Sequence, residues 1–137
     1  MRTASELLAV FQQLPEASWC FDLAHARQVD PTMIEAREML RQFGSRLAQL
    51  HVSDVNSNSR HEPLSLSALL AFLKIAPLIH RQTPVVIESP VEEPRMRQEM
   101  DTVELIFDPR KWIHLPGANY RSSLTKKDKP SNMVELA

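Results

Sequence analysis

The chain has 137 residues, 43% hydrophobic and 24% charged, with a formal net charge of -1; that suits one globular domain with a real core and argues against a broad nucleic-acid footprint, which needs clustered Lys and Arg. Cys20 stands alone in the apolar run Trp19-Cys20-Phe21, so no intrachain disulfide forms and a buried structural thiol is expected. Neither a signal-peptide pattern at Met1-Arg2-Thr3 nor a bilayer-length apolar stretch is found, so a cytoplasmic location without membrane contact is expected.

Thr3-Ala4-Ser5-Glu6 fits a capping box, and Leu7, Leu8, Val10, Phe11 and Leu14 follow at helical spacing until Pro15. Ser18 to Leu23 reads as a buried strand with Asp22 near its C-terminal end. Asp30-Pro31 looks like an N-cap followed by proline at the first helical position; Met33, Ile34, Ala36, Met39, Leu40 and Phe43 continue that helix and Gly44 stops it. Leu47 to Val52 is a second apolar strand, running into a long polar loop from Ser53 to Pro63. Ser65 or Ser67 caps a third helix, which Pro77 ends or kinks. Pro84 to Glu88 is a third strand, and Pro94 to about Phe107 a fourth helix. Residues 115–137, with Lys126-Lys127-Asp128-Lys129-Pro130, read as a polar, mobile tail after a folded region of 1–114.

Helices therefore alternate with strands that are continuous apolar runs, the pattern of an α/β fold with a parallel sheet. Ligands of such sheets sit at the C-terminal strand ends. Those ends carry Asp22, His51 and Glu88, with His25 three residues after Asp22 and His61 ten after His51. On parallel neighbours these side chains converge on one rim. Mixed imidazole and carboxylate donors suit Mn²⁺, Zn²⁺ or Co²⁺ and tolerate Mg²⁺. Each residue alone has a bland alternative: Asp22 as a helix cap, His51 as an ordinary strand residue. An unpaired Glu88 at a buried strand end is the hardest to explain so. His80 and His114 read as structural or solvated.

Phe21-Asp22-Leu23-Ala24-His25-Ala26 resembles the D-x-G-H-A segment of the xylose-isomerase-like barrels, the superfamily of sugar isomerases, sugar epimerases and endonuclease IV. Leu50-His51-Val52-Ser53-Asp54, then Arg60-His61-Glu62-Pro63-Leu64, resembles the next strand and loop. Val85-Val86-Ile87-Glu88-Ser89-Pro90 resembles the last strand with its E-x-P ending. The resemblance covers about residues 3–107. It implies the C-terminal part of a (β/α)8 TIM barrel, with three parallel strands and flanking helices. It implies Asp22, His51 and Glu88 as metal ligands, with Glu88 also catalytic in proton transfer. His25, Arg60 and His61 would bind a sugar or sugar-phosphate substrate; in the endonuclease branch His25 and His61 would instead ligate zinc.

The chain departs from that family in three ways. Only three of eight strands are found, so a fragment, a truncated gene product or a piece of a split or self-associating barrel is expected, completed by a companion half-barrel or a second copy. Ser59 stands where the endonuclease pattern has Asp, which with the charge balance argues against nucleic acid as partner. Ala24 and Ser65-Leu66-Ser67 replace glycines. The expected function is a divalent-metal-dependent sugar isomerase or epimerase, incomplete as a single chain. The alternatives are an endonuclease-IV-like repair protein and a non-catalytic fragment or assembly module.

Overall fold

A computed structural model describes residues 3–108; the expected tail at 115–137, the boundary at 114 and His114 lie outside them. The Thr3 side chain accepts from Glu6 N–H, and helix α1 runs Ala4–Gln13 with Leu7 and Phe11 buried. Strand β1 follows at Trp19–Asp22. Asp22 then ends the strand and caps helix α2, Leu23–Val29, by accepting from His25 N–H at 3.0 Å. The sequence reading left α2 out, because seven residues give too short a periodic signal.

Helix α3 spans Ile34–Phe43. The N-cap position is Met33, not Asp30; Asp30 accepts from Thr32 and Glu35 N–H from the preceding turn, where Pro31 also sits, so Pro31 is not at the first helical position. Met33 enters the helix with φ 63, a left-handed backbone that its fully buried side chain holds in place. Gly44 is the C-cap that ends α3, as expected, at an ordinary φ of -59, and leads directly into a 3-10 turn, Gly44–Arg46. Strand β2 is Leu47–Val52.

The expected loop after β2 contains structure. Strands β3 (Asp54–Val55) and β4 (His61–Glu62) pair antiparallel, and the Asn56 side chain accepts from Asn58 and Arg60 N–H across the turn. Ser65 caps helix α4, Leu66–Leu73. That helix stops before Pro77, which lies in a 3-10 turn at Ala76–Leu78. Strand β5 is Val85–Ile87 and helix α5 Glu93–Phe107.

Strands β1, β2 and β5 form a parallel sheet in that spatial order. Among the described residues it is open, with β1 and β5 as its edges. Successive side chains of a strand alternate between faces. Trp19, Phe21, Leu50 and Val52 are buried with Leu7, Met39, Phe72 and Ile106 of the helices in one core. At about 25 cal/mol per Å² of apolar area removed from water, such a core is the main stabilising term. The other face carries Cys20, Gln49, His51, Val86 and Glu88, with Cys20 and Val86 exposed.

This openness corrects two expectations. Cys20 is exposed, not a buried thiol, because it points away from the helices. The third strand is not buried: Val85 and Val86 are 37% and 39% exposed, and β5 is an edge strand among the described residues. No helix among the described residues is long and apolar enough to cross a membrane.

Candidate metal centre

The parallel register brings the strand ends together. Asp22 on β1 is the Cα partner of His51 on β2, and His51 that of Val86 on β5, two residues before Glu88. Glu88 N–H donates to Val52 C=O at 3.0 Å, which extends the β2–β5 ladder to the carboxylate. Glu88 Oε1 lies 2.8 Å from His51 Nδ1, and Oε2 lies 3.7 Å from His61 Nε2. The His25 and His61 rings meet edge to face, 5.3 Å between centroids. His25 Nε2 is 3.8 Å from Asp22 Oδ2. Asp22 thus caps α2 through one oxygen and turns the other toward an imidazole.

Two ligand sets share Asp22. Donor atoms of Asp22, His51 and Glu88 lie within 4.8 Å of one another, and so do those of Asp22, His25 and His61. An ion bonded at about 2.1 Å draws its ligands to within about 4.2 Å of each other, so the widest separation allowed here must close by about half an ångström. The donor chemistry, nitrogen plus carboxylate oxygen, fits a borderline divalent ion. Glu88 Oε2 supplies the sharper test. It is buried and has no hydrogen-bond partner. Such an oxygen is costly to leave alone, and a cation satisfies it.

Of the residues singled out from sequence, Asp22, His25, His51, His61 and Glu88 come together. Arg60 does not: it is exposed on the β3–β4 turn, with no side-chain hydrogen bond or ion pair among the described residues. A cleft beside β1 reaches this cluster, lined by Leu7, Phe21 and Met39 and by Cys20, Asp22, His25 and Ser59. Ser59 has φ 58 and its hydroxyl donates to Gln28 Oε1. Although Cys20 is exposed, partial desolvation and then the nearby Asp22 and Glu88 charges push its thiol up.

Supporting residues were missed in the sequence. Gln49 Nε2 lies 3.1 Å from His51 Nε2, and Ser53 Oγ 2.7 Å from His61 Nδ1. Gln49 could have been found, since it precedes His51 by two on a strand and so shares its face. Asp54 is buried against the Arg27 guanidinium and accepts from Ser65 hydroxyl and Val55 N–H. Burial raises its carboxyl, but those hydrogen bonds and the Arg27 charge outweigh burial and hold it below the usual range. Glu99, also buried, accepts from Leu64 N–H and Ser89 hydroxyl. Nothing in its run Arg97-Gln98-Glu99-Met100-Asp101 marks it out.

No protein-family model, no curated protein and no solved structure matches this chain.

Proposed function

We propose that the chain is a wedge of a xylose-isomerase-like barrel whose rim binds a divalent ion and acts on a sugar or sugar phosphate as an isomerase or epimerase. The observation that carries this reading is Glu88: its unpaired, buried Oε2 sits where the β1, β2 and β5 ends converge with two imidazoles beside it. The fold supports it as well. Consecutive strands add on the same side in the order β1-β2-β5, and among the described residues Cys20 and Val86 on the face away from the core are exposed. A doubly wound sheet covers both faces, whereas a barrel encloses one.

A divalent ion held by Asp22, His51 and Glu88 supplies electrostatic stabilisation of the charge that develops beside a carbonyl when a proton leaves. The residues do the rest. His51 holds Glu88 through Oε1, which leaves Oε2 turned toward His61. A carboxylate so placed can take and return a proton. His25 and His61, 5.3 Å apart, would orient substrate oxygens. The open sheet edges call for further strands, from a companion half-barrel or a second copy, before an active site is enclosed.

Mn²⁺ or Zn²⁺ titration of the full chain tests the site, read as a rise in melting temperature. Proton exchange with solvent from a panel of ketoses tests the chemistry. No thermal shift and no binding by calorimetry would sink the metal reading. The Asp22, His25 and His61 set favours one second reading, the endonuclease branch, in which His25 and His61 hold zinc. Cleavage of an abasic-site duplex by the zinc-loaded chain would support it over the sugar chemistry.

A further inference from the structure

The two oxygens of Glu88 are in different situations. Oε1 lies 2.8 Å from His51 Nδ1, and the other nitrogen of that ring is 3.1 Å from the Gln49 amide nitrogen. In the metal-free ring the Gln49 amide nitrogen donates, so His51 Nε2 accepts and its Nδ1–H donates to Oε1; His51 joins an ion through Nδ1 only when that proton moves to Nε2 and the Gln49 amide oxygen turns to accept it. Oε2 has no hydrogen-bond partner; His61 Nε2 faces it at 3.7 Å, outside hydrogen-bond reach.

Ser53 decides what that gap is. It is fully buried at the end of β2, and its Oγ is 2.7 Å from His61 Nδ1. A hydroxyl can donate or accept. If Ser53 donated, His61 would carry its proton on Nε2, aimed at an unpaired carboxylate oxygen. A charge-assisted bond of about 2.8 Å would then close the gap. If Ser53 accepts from Nδ1–H, Nε2 is a bare lone pair facing another acceptor, and the two stay apart. The 3.7 Å separation matches the second arrangement.

We propose, resting on the metal-centre reading above, that Ser53 is a positioning residue that holds His61 in its Nδ1–H tautomer and so keeps Glu88 Oε2 free for a divalent cation. Without the hydroxyl, the His61 proton moves to Nε2, bonds Oε2 and competes with the ion for it. A ring orienter of this kind is worth about ten- to a hundredfold in metal affinity.

The test uses the full chain. Long-range ¹H–¹⁵N NMR of the metal-free protein above the imidazole titration range reads the tautomer of each ring, with His61→Gln assigning His61. Zn²⁺ affinity is measured by calorimetry on the same samples. The wild type is expected to show His61 protonated on Nδ1. Ser53→Ala is expected to show it on Nε2, with Zn²⁺ binding weakened about ten- to a hundredfold. Ser53→Thr, which keeps the hydroxyl, is expected to restore both. A wild-type His61 protonated on Nε2 overturns the proposal and needs no variant, so it decides even if Ser53→Ala fails to fold. An unswitched tautomer in Ser53→Ala, or a switched one with unchanged Zn²⁺ affinity, also overturns it while leaving the metal centre intact. A wild type that binds no Zn²⁺ sinks the metal-centre reading itself, and with it any role for Ser53 toward a cation.

Discussion

Glu88 and Asp54 are both partly or fully buried carboxylates, and they are satisfied in opposite ways. Glu88 leaves Oε2 open at the rim, whereas Asp54 is saturated by Arg27, Ser65 and the Val55 N–H. The first pattern belongs to a ligand and the second to a clamp. Glu88→Gln should therefore abolish the Mn²⁺-dependent rise in melting temperature while the metal-free melting temperature stays within a few degrees. If stability falls sharply instead, Glu88 is a structural residue. Asp54→Asn should cost about 1–3 kcal/mol, from the weakened Arg27 and Ser65 bonds. Its pH dependence has a definite sign. The folded carboxyl is held low, so its contribution is complete above the unfolded carboxylate range of about 4 and is lost as pH falls below it. Urea midpoints measured across that window should fall less steeply in Asp54→Asn than in the wild type. A residual slope is expected, because Asp30 is lowered by the Thr32 hydroxyl and the Glu35 N–H and contributes with the same sign.

At the scale of elements, Gly44 reads in sequence as a helix stop and does end α3, with a φ of -59 that is ordinary for any residue. A Cβ there would meet only Leu78 C=O at 3.8 Å, a normal contact. Gly44→Ala should accordingly raise stability by about 0.4–1 kcal/mol through the unfolded chain, measured by urea denaturation; a loss would show that the turn needs glycine. The three strands and four of the helices were legible, because each is an apolar run or a 3.6-residue period bounded by Thr3, Pro15, Ser65 or Pro94. Helix α2 was not, because Asp22 ends a strand and caps a helix in a single residue, leaving no polar spacer to announce it. The rim histidines were legible from their strand ends, but Arg60 was placed there by resemblance alone and lies on the exposed turn. Ser53 and Glu99 were invisible for another reason: their partners, His61 and Ser89, are set by tertiary packing.

At the scale of the whole described molecule, one sheet face is built for a core, and among the described residues the other carries no covering helix. Val85 and Val86 of the edge strand β5 are exposed apolar residues on opposite faces of the sheet. A second copy adding to this edge would give concentration-dependent association in light scattering, which Val86→Lys should lower while leaving the melting temperature nearly unchanged. An unaltered association would place the contact elsewhere. Glu99 has a consequence for how this molecule comes apart. One buried carboxylate on α5 fastens both the strand-to-helix loop at Leu64 and the segment at Ser89, the residue beside Glu88. When α5 lifts, both attachments go at once, while the β1–β2 ladder, which does not depend on Glu99, stays paired. In native-state hydrogen exchange the amides of Leu64 and Glu88 should share one opening energy with α5, below that of β2. The rim then loses its shape before the β1–β2 ladder does, and the docking of α5 sets how often that happens.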